Sequence, residues 1–596
     1  MTHGFLARPN VVGTFAASAS THWVASSVAQ SVLERGGNAF DAATAAGFVL
    51  HIVEPHLNGP GGDLVGIVAP IGSKPMVLCG QGPAPAKATI EHFANEGLDA
   101  VPGSGALAAA VPGAVDAWLL LLRDHGTWDL DGVLSYAIHY ATVGQPLHPH
   151  AAAAIAAVQD LFLEHWPTSA AQWLPDGRTP PTGTMVGNHT YADMLRRLCR
   201  EARDAAGSGA TRAEVIDSAR TVWAQGFVAK AIEGFCTSTP HLHSSGAIRR
   251  GVIEASDLTA FRATWEAPVV MGFRGSRIYK SGPWGQGPVL LQCLKILEGF
   301  DDDALDLTSK DGIHNVVETL KLALADREAY FGDGLSNSAL AKLLSSSYAA
   351  TRRALISDQA SIEFRPGRGD ALPAPFYPTL RTAAGEQDGA AGEPTVTLAG
   401  AVRGDTCHID VIDQHGNAIS VTPSGGWLQS SPTIPELGFA LGTRLQMSHL
   451  DPASPSALRP GRRPRTTLSP TLVDTGERLT VLGSPGGDQQ DQWQLLYLLR
   501  TLVSGLSPQE AIESPMFHTT SYPGSFWPRT WEPGGLVVED RIGAPVIQQL
   551  RDAGHRIRQA GDWSLGRLTS VTADRSRGVI TAAANPRGAQ NYAVGR

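Results

Sequence analysis

The chain reads as an α+β protein: a mostly helical N-terminal two thirds followed by a strand-rich C-terminal third. Three observations carry this. Apolar residues recur at helical spacing through the first part, alternating strand-like runs appear after residue 406, and a Pro/Gly/Ala-rich stretch separates the two regimes.

In "THWVASSVAQSVLERGGNAFDAATAAGFVLHIVEP", Trp23, Val24, Val28, Val32 and Leu33 lie at helical spacing, and Gly36-Gly37 ends the run. A second, Ala-rich helix covers Ala39 to Val53, its small side chains suited to close packing. "EPHLNGPGGD" (Glu54 to Asp63) is a Gly/Pro loop leading into the short strand "LVGIVAP". From about Gly105 to Thr142 the pattern is helical again. Residues 151–234 are mostly helical with an irregular stretch near Trp166 to Gly187, and Asp311 to Phe331 forms another amphipathic helix. "RPGRGDALPAPFYPTLRTAAGEQDGAAGEPTVTLAGAVR" (Arg365 to Arg403) is poor in large apolar residues and has the composition of a flexible linker. Beyond it, Cys407 to Asp413 and Ala418 to Thr422 flank the turn Gln414 to Asn417 as a hairpin, Leu479 to Leu482 is a strand, and "LTSVTAD" with "GVITAAA" around "RSRG" is a second hairpin.

Bulk properties narrow the function classes. A net charge of -9 gives no basic field for nucleic acid, so no nucleic-acid partner is expected. No apolar run is long enough to span a membrane, and "MTHGFLARPNVVGTFAASAS" lacks the pattern of a secretory signal. Five scattered cysteines without a C-x-x-C fit a reducing, cytoplasmic setting rather than a disulfide frame or thiolate zinc site.

Common site motifs fail in turn. "GPGGDL" lacks dinucleotide-loop spacing and no phosphate loop occurs. "GSPGG" (Gly483 to Gly487) has Leu482 where a nucleophile elbow needs Gly. His148/His150 and His241/His243 have ligand-like spacing, but capping is the commoner role and no third ligand follows, so neither a metal nor a cofactor is expected.

The junction Asp405-Thr406 stands out. A threonine opening a strand is ordinary. Here, however, a linker ends just before it, Gly404 precedes Asp405, and glycine-rich loops follow: "TPSGGW", "RPRTTLSP" and "GSPGGDQQDQW". Such loops can aim backbone N–H groups at an anion. A threonine with a free α-amine carries nucleophile and base in one residue, the amine titrating at about 7.7–8.0. An internal threonine gains that amine only by cleavage of the bond before it.

At these residues the sequence resembles the gamma-glutamyltransferase superfamily of N-terminal nucleophile (Ntn) hydrolases. The resemblance runs through "ERGGNAFDAATAAGFVLHIVEPHLNGPGGD", "APAKAT", "AAAVPGAVDAW", "GDTCHIDVID", "RPRTTLSPTLV" and "GSPGGDQQDQWQ", nearly the whole chain. It implies a four-layer αββα sandwich, with two stacked, mainly antiparallel sheets between helical layers. It also implies a precursor cut between Asp405 and Thr406 into a large chain 1–405, ending in the flexible linker 365–403, and a small chain 406–596. These would pair as a heterodimer, and two heterodimers as a heterotetramer. By resemblance, Thr406 is the nucleophile, Ser424 supports it, and Gly486 and Gly487 supply the oxyanion hole. Thr466 and Thr467 match a Ser-Ser pair that contacts the substrate.

The departures are equally specific. Ile90 stands where, on this match, glutamyl-binding members have an arginine, and no carboxylate stands near Gln446–Met447, where the family meets the glutamyl amino group. An apolar side chain cannot replace a bidentate guanidinium. Arg444 is the substitute cation for a substrate carboxylate, with a surface arginine as the rival reading. The chain is thereby similar to the non-glutamyl branch: oxamate amidohydrolase and the 4-alkylproline-pathway enzymes of antibiotic biosynthesis that hydrolyse a C–C bond. The leading expectation is a self-activated hydrolase that removes a small carboxylate-bearing acyl group from an amide. The alternatives are C–C hydrolysis releasing an oxalyl-type unit, a gamma-glutamyl hydrolase or transferase, and an unprocessed scaffold.

Overall fold

The computed structural model describes residues 6–382, 406–587 and 591–596. Two seven-stranded sheets form its centre, and every neighbouring pair in them is antiparallel. Their strands in chain order are β1 Val11–Gly13, β2 Ala17–Ser20, β3 Asp63–Ala69, β4 Met76–Gly80, β5 Thr264–Glu266, β6 Val269–Phe273, β7 Ser276–Lys280, β8 Ile409–Ile412, β9 Ala418–Ser424, β10 Thr471–Asp474, β11 Arg478–Gly483, β12 Thr569–Asp574, β13 Val579–Ala584 and β14 Tyr592–Gly595. One sheet runs β14-β2-β8-β9-β3-β4-β5 and the other β1-β13-β12-β11-β10-β7-β6.

Helices cover the outer faces. Helix α1 (Trp23–Glu34) and α2 (Ala39–Val53) lie with α3 (Ala114–His125) and α4 (Leu130–Val143) over the first sheet, packing on Leu64, Val68, Ile409, Val411, Ile419 and Val421. Helices α5 (Gly287–Leu297), α6 (Lys310–Tyr330) and α7 (Gln490–Leu502) cover the second, over Ile278, Val473 and Leu482. Between the sheets lie Val65, Ile67, Ile412, Leu472, Val481 and Val571. Alternation along the strands divides these clusters, because successive side chains point to opposite faces. The result is the four-layer αββα sandwich that the resemblance implies.

Two expectations need correction. The region before residue 406 is not only helical, since it supplies seven of the fourteen sheet strands, interleaved with those that follow. The described part of the segment read as a loose linker, 365–382, is tied down. Gly367 donates its N–H to Asp326 and accepts from Tyr330, Phe376 N donates to Ala329 O, and Arg381–Thr382 pairs with Thr530–Trp531. The remainder of that segment lies outside the described residues, as does Asp405.

Candidate active site

Thr406 immediately precedes β8 and pairs with Ser424, the last residue of β9, in an isolated antiparallel bridge. Strand alternation turns Thr406, His408 and Asp410 toward the second sheet, and Cys407, Ile409 and Val411 toward the helices. The Thr406 hydroxyl donates to Ser424 Oγ at 3.2 Å, and both residues are buried.

Behind this hydroxyl pair runs a polar seam. His408 contacts Thr422 Oγ1 through Nδ1 at 2.8 Å and Asp410 Oδ1 through Nε2 at 2.9 Å. Asp410 accepts the Thr569 hydroxyl at 2.7 Å, and Ser420 Oγ donates to Leu482 O at 3.0 Å. Gly483 fits because a Cβ there would lie 2.1 Å from the His408 ring. These contacts set the start of the Gly483–Gly487 loop opposite the nucleophile's strand. On the helix side, Cys407 S–H donates to Glu54 Oε2 at 3.0 Å, and Thr21 hydroxyl donates to the same oxygen at 2.6 Å. Burial pushes the Glu54 carboxyl up, and those two hydrogen bonds oppose it.

The "GPGGD" loop forms a wall of the site. Gly62 has no room for a side chain, since its Cβ would meet Ser424 O at 2.1 Å. Asp63, opposite Ser424 across the β9–β3 ladder, receives Arg444 in a two-point pair at 2.7 and 2.8 Å. Arg444 is therefore buried and ion-paired, which excludes the surface-arginine reading. A small cavity of about 10 Å³ opens between Asp63, Arg444, Gly425, Gly442 and Gln81. Gln81 is fully buried and its Oε1 has no hydrogen-bond partner among the described residues. An unsatisfied buried acceptor of this kind costs roughly 1–3 kcal/mol unless a ligand or water meets it.

Gly486 (φ +116) and Gly487 (φ +49) turn the chain into α7. The Gln286 side chain fixes the turn, donating to Gly487 O at 3.0 Å while accepting from Arg327. The adjacent Gly285 bridges Thr466, whose N–H donates to Trp284 O. Thr467 Oγ1 is buried without a hydrogen-bond partner among the described residues. The predicted residues thus fall into two groups, Thr406, Ser424 and Arg444 on the first sheet and Thr466, Thr467, Gly486 and Gly487 on the second. Ile90 instead opens a short helix, Ile90–Asn95, and packs with Ala84, Ala88 and Phe93. Gln446 is occupied by Thr443, Gly103 and Trp527.

A sequence model described as gamma-glutamyltranspeptidase matches residues 25–595. The chain belongs to that family. A glutathione hydrolase-like YwrD proenzyme of Bacillus subtilis (strain 168) is 29% identical over 588 residues, 97% of this chain and 98% of the relative. An oxamate amidohydrolase proenzyme of Klebsiella pneumoniae is 27% identical over 591 residues, 97% and 98% of the two chains. Among solved structures, LmbA2991HD aligns over 100% of both chains with TM-score 0.93 and 47% identity. Cephalosporin acylase from Bacillus halodurans aligns over 100% and 98% with TM-score 0.81 and 26% identity. The family is an enzyme family of Ntn hydrolases, and this chain is a hydrolase of it.

The histidine pairs have structural roles. His148 caps its helix by accepting the His150 N–H, His243 Nδ1 meets Ser245, and His241 stacks on Phe235. Among the described residues, His314, Glu318 and His555 are close enough together to hold a metal. His314 is already bonded to His555 and Ser357 O, and Glu318 to Lys321 and Arg365. No described helix is long and apolar enough to cross a membrane.

Sequence reasoning missed Asp63, Gln81 and the His408–Asp410 seam. The i, i+2 spacing of His408 and Asp410 was a readable signal of a shared strand face. The Asp63–Arg444 pair spans 381 positions and left no local mark.

Proposed function

We propose that the protein is a self-cleaving N-terminal-threonine hydrolase that removes a small carboxylate-bearing acyl group from an amide. The carrying observation is the buried Thr406–Ser424 hydroxyl pair at 3.2 Å, on the strand face turned toward the second sheet, whose β11 leads into the Gly486–Gly487 turn. In maturation, Thr406 Oγ attacks the Asp405 carbonyl, the C–N bond breaks as an ester forms, and water releases the Asp405 carboxylate and the Thr406 α-amine. The interleaved strands of both sheets would keep fragments 1–405 and 406–596 together as a heterodimer.

In turnover, the new amine takes the proton from Thr406 Oγ as it attacks the substrate carbonyl. Ser424 Oγ orients the nucleophile. The N–H groups of Gly486 and Gly487 stabilise the oxyanion, an arrangement in which one lost donor typically lowers the rate ~10²–10³-fold. The proton passes to the leaving amine, and water hydrolyses the ester. The cavity beside Asp63 and Arg444 fits the acyl head. Gln81 Oε1 accepts an N–H, Arg444 faces a carboxylate, and Thr466 and Thr467 contact the substrate as the family match implies.

A denaturing gel with N-terminal sequencing tests maturation, the expected new terminus being Thr-Cys-His. Mass spectrometry of the mature protein with oxamate, glutaryl amides, gamma-glutamyl anilide and 2-oxo acids tests the substrate. Release of ammonia or amine supports the amide reading, and release of an oxalyl-type acid from a carbon skeleton supports C–C hydrolysis. Rapid gamma-glutamyl turnover would overturn the role assigned to the missing arginine at Ile90.

A further inference from the structure

A network of buried charges lies directly behind the Gly486–Gly487 turn. Asp488 pairs with Arg327 and accepts the hydroxyl and N–H of Ser525. Arg327 also meets Glu328 at 2.9 Å, and Arg465 meets Glu328 at 2.7 Å and Ser525 Oγ at 2.9 Å. Glu328 Oε2 lies 3.7 Å from His449 Nε2, and His449 Nε2 accepts from Arg529 at 2.6 Å. This continuous set holds three guanidiniums, Arg327, Arg465 and Arg529, against two carboxylates, Glu328 and Asp488.

Arg327 and Arg465 each touch a carboxylate. Arg529 touches none among the described residues, bonding instead to Gln446 O at 2.8 Å, Ser448 O at 3.1 Å and His449. Burial, then Arg529 itself, pushes His449 down to about 4, so the imidazole is neutral at pH 7 and offsets nothing. The surplus positive charge therefore falls on Arg529. Its backbone is also unusual, with φ +61 in a residue bearing a Cβ, a conformation that costs about 1–2 kcal/mol. Such strain concentrates at ligand-binding positions.

Arg529 lines a cavity of about 110 Å³ with Phe376, Arg381, His449, Leu450 and Pro523. Arg381 is matched there by Asp99 at 2.8 Å, and the exposed Asp451 at the rim accepts the Ala453 N–H. An unmatched guanidinium beside apolar walls suits a carboxylate on a compact apolar body.

We propose that this cavity is a carboxylate-binding subsite. Arg529 receives the carboxylate, and the apolar body lies against Phe376, Leu450 and Pro523. Arg444 borders the smaller cavity and Ser448, four residues on, borders this one, which assigns it to the part of the substrate that leaves when Thr406 is acylated. That role rests on the hydrolase reading, whereas binding does not.

Calorimetry on the full-length protein tests it, with cyclohexanecarboxylate and its neutral isostere cyclohexanecarboxamide as probes. The expected result is saturable binding with at least tenfold preference for the carboxylate, about 1.4 kcal/mol. Arg529→Gln should reduce that preference below threefold. Thr379→Trp, at the cavity rim with Arg529 intact, should weaken both probes at least tenfold. Equal binding of the two probes to the unaltered protein, a preference kept in Arg529→Gln, or carboxylate binding unchanged in Thr379→Trp would each overturn the proposal. If Arg529→Gln does not fold, the Thr379→Trp result decides. A preparation that never self-cleaves yet shows the preference leaves the subsite standing and defeats the hydrolase reading alone.

Discussion

Gly486→Ala tests the oxyanion role proposed for the Gly486–Gly487 turn. With φ +116 and ψ 16, Gly486 lies beyond the small left-handed region open to other residues. An added Cβ would sit 2.4 Å from Trp493 Cζ3 and 3.1 Å from two further ring atoms. Carbon contacts settle near 3.5–4.0 Å, so something must move by about 1 Å. Trp493 is fully buried and stands edge-on to His518 at 5.8 Å, so the backbone turn yields rather than the ring. Strain of about 1–3 kcal/mol and overpacking of about 1–3 kcal/mol give a stability loss of about 2–6 kcal/mol. A shift of ~1 Å in the oxyanion donors should lower kcat on the order of 10²-fold, in the range seen for one lost donor. The assay is kcat at saturating substrate on self-cleaved, folded protein, with Tm measured on the same sample. Gly476→Ala is the control, because φ is +86 but no atom lies within 4 Å of its Cβ. It should lose stability without losing kcat. A folded Gly486→Ala enzyme with kcat within threefold of wild type would refute the assignment of this turn to the oxyanion.

Thr406→Ala should leave one intact 62.8 kDa band on a denaturing gel and no turnover, while Thr406→Ser should still cleave. Cys407→Ala should still self-cleave, although loss of the S–H donor to buried Glu54 should lower stability by about 1–3 kcal/mol, measured by urea unfolding. Arg444→Leu, which strips the buried Asp63 carboxylate of its guanidinium, should cost about 3–5 kcal/mol by the same method, and adding Asp63→Asn should recover part of it. Burial pushes His51, His449 and His518 down to about 3, 4 and 3. The unfolded chain then binds more protons than the folded one below about pH 6.5. Stability should be complete above that pH and fall as pH drops toward 4, and His518→Leu should flatten the slope of the urea midpoint against pH.

Sequence pattern disclosed the elements that carry their own periodicity: α1, α2, α6, the β8–β9 hairpin and the β12–β13 hairpin. It did not disclose β2, whose four small residues "ASAS" carry little β propensity and are buried on both faces, nor β4. The β6–β7 hairpin did carry a signal, Arg274-Gly275 with positive φ at both positions, the preference of a tight hairpin turn. The stretch 365–382 misled for a physical reason: composition reports the lack of core side chains, whereas this segment is held by backbone groups bonded to α6. At the site, Thr406 was visible from its junction. The partner that fixes Arg444 was not, because a salt bridge across 381 residues is a property of the fold.

The two halves of the site lie on different sheets, so their alignment depends on what locks the sheets together. Ordinary apolar packing between sheets tolerates sliding, since it is non-directional. Here the seam beneath Thr406 is directional. His408 is bonded at both ring nitrogens, Asp410 reaches Thr569 across the gap, and Ser420 reaches Leu482 O, one residue before Gly483. Sliding one sheet by a residue would strand several buried polar groups at about 1–3 kcal/mol each. The Gly486–Gly487 turn is secured from its other side by Gln286 and by Arg327 on Asp488. On the proposed roles, Thr406 and the Gly486–Gly487 N–H groups would be positioned by satisfied buried hydrogen bonds on both flanks before any substrate arrives, the condition under which fixed dipoles favour a transition state without reorganising.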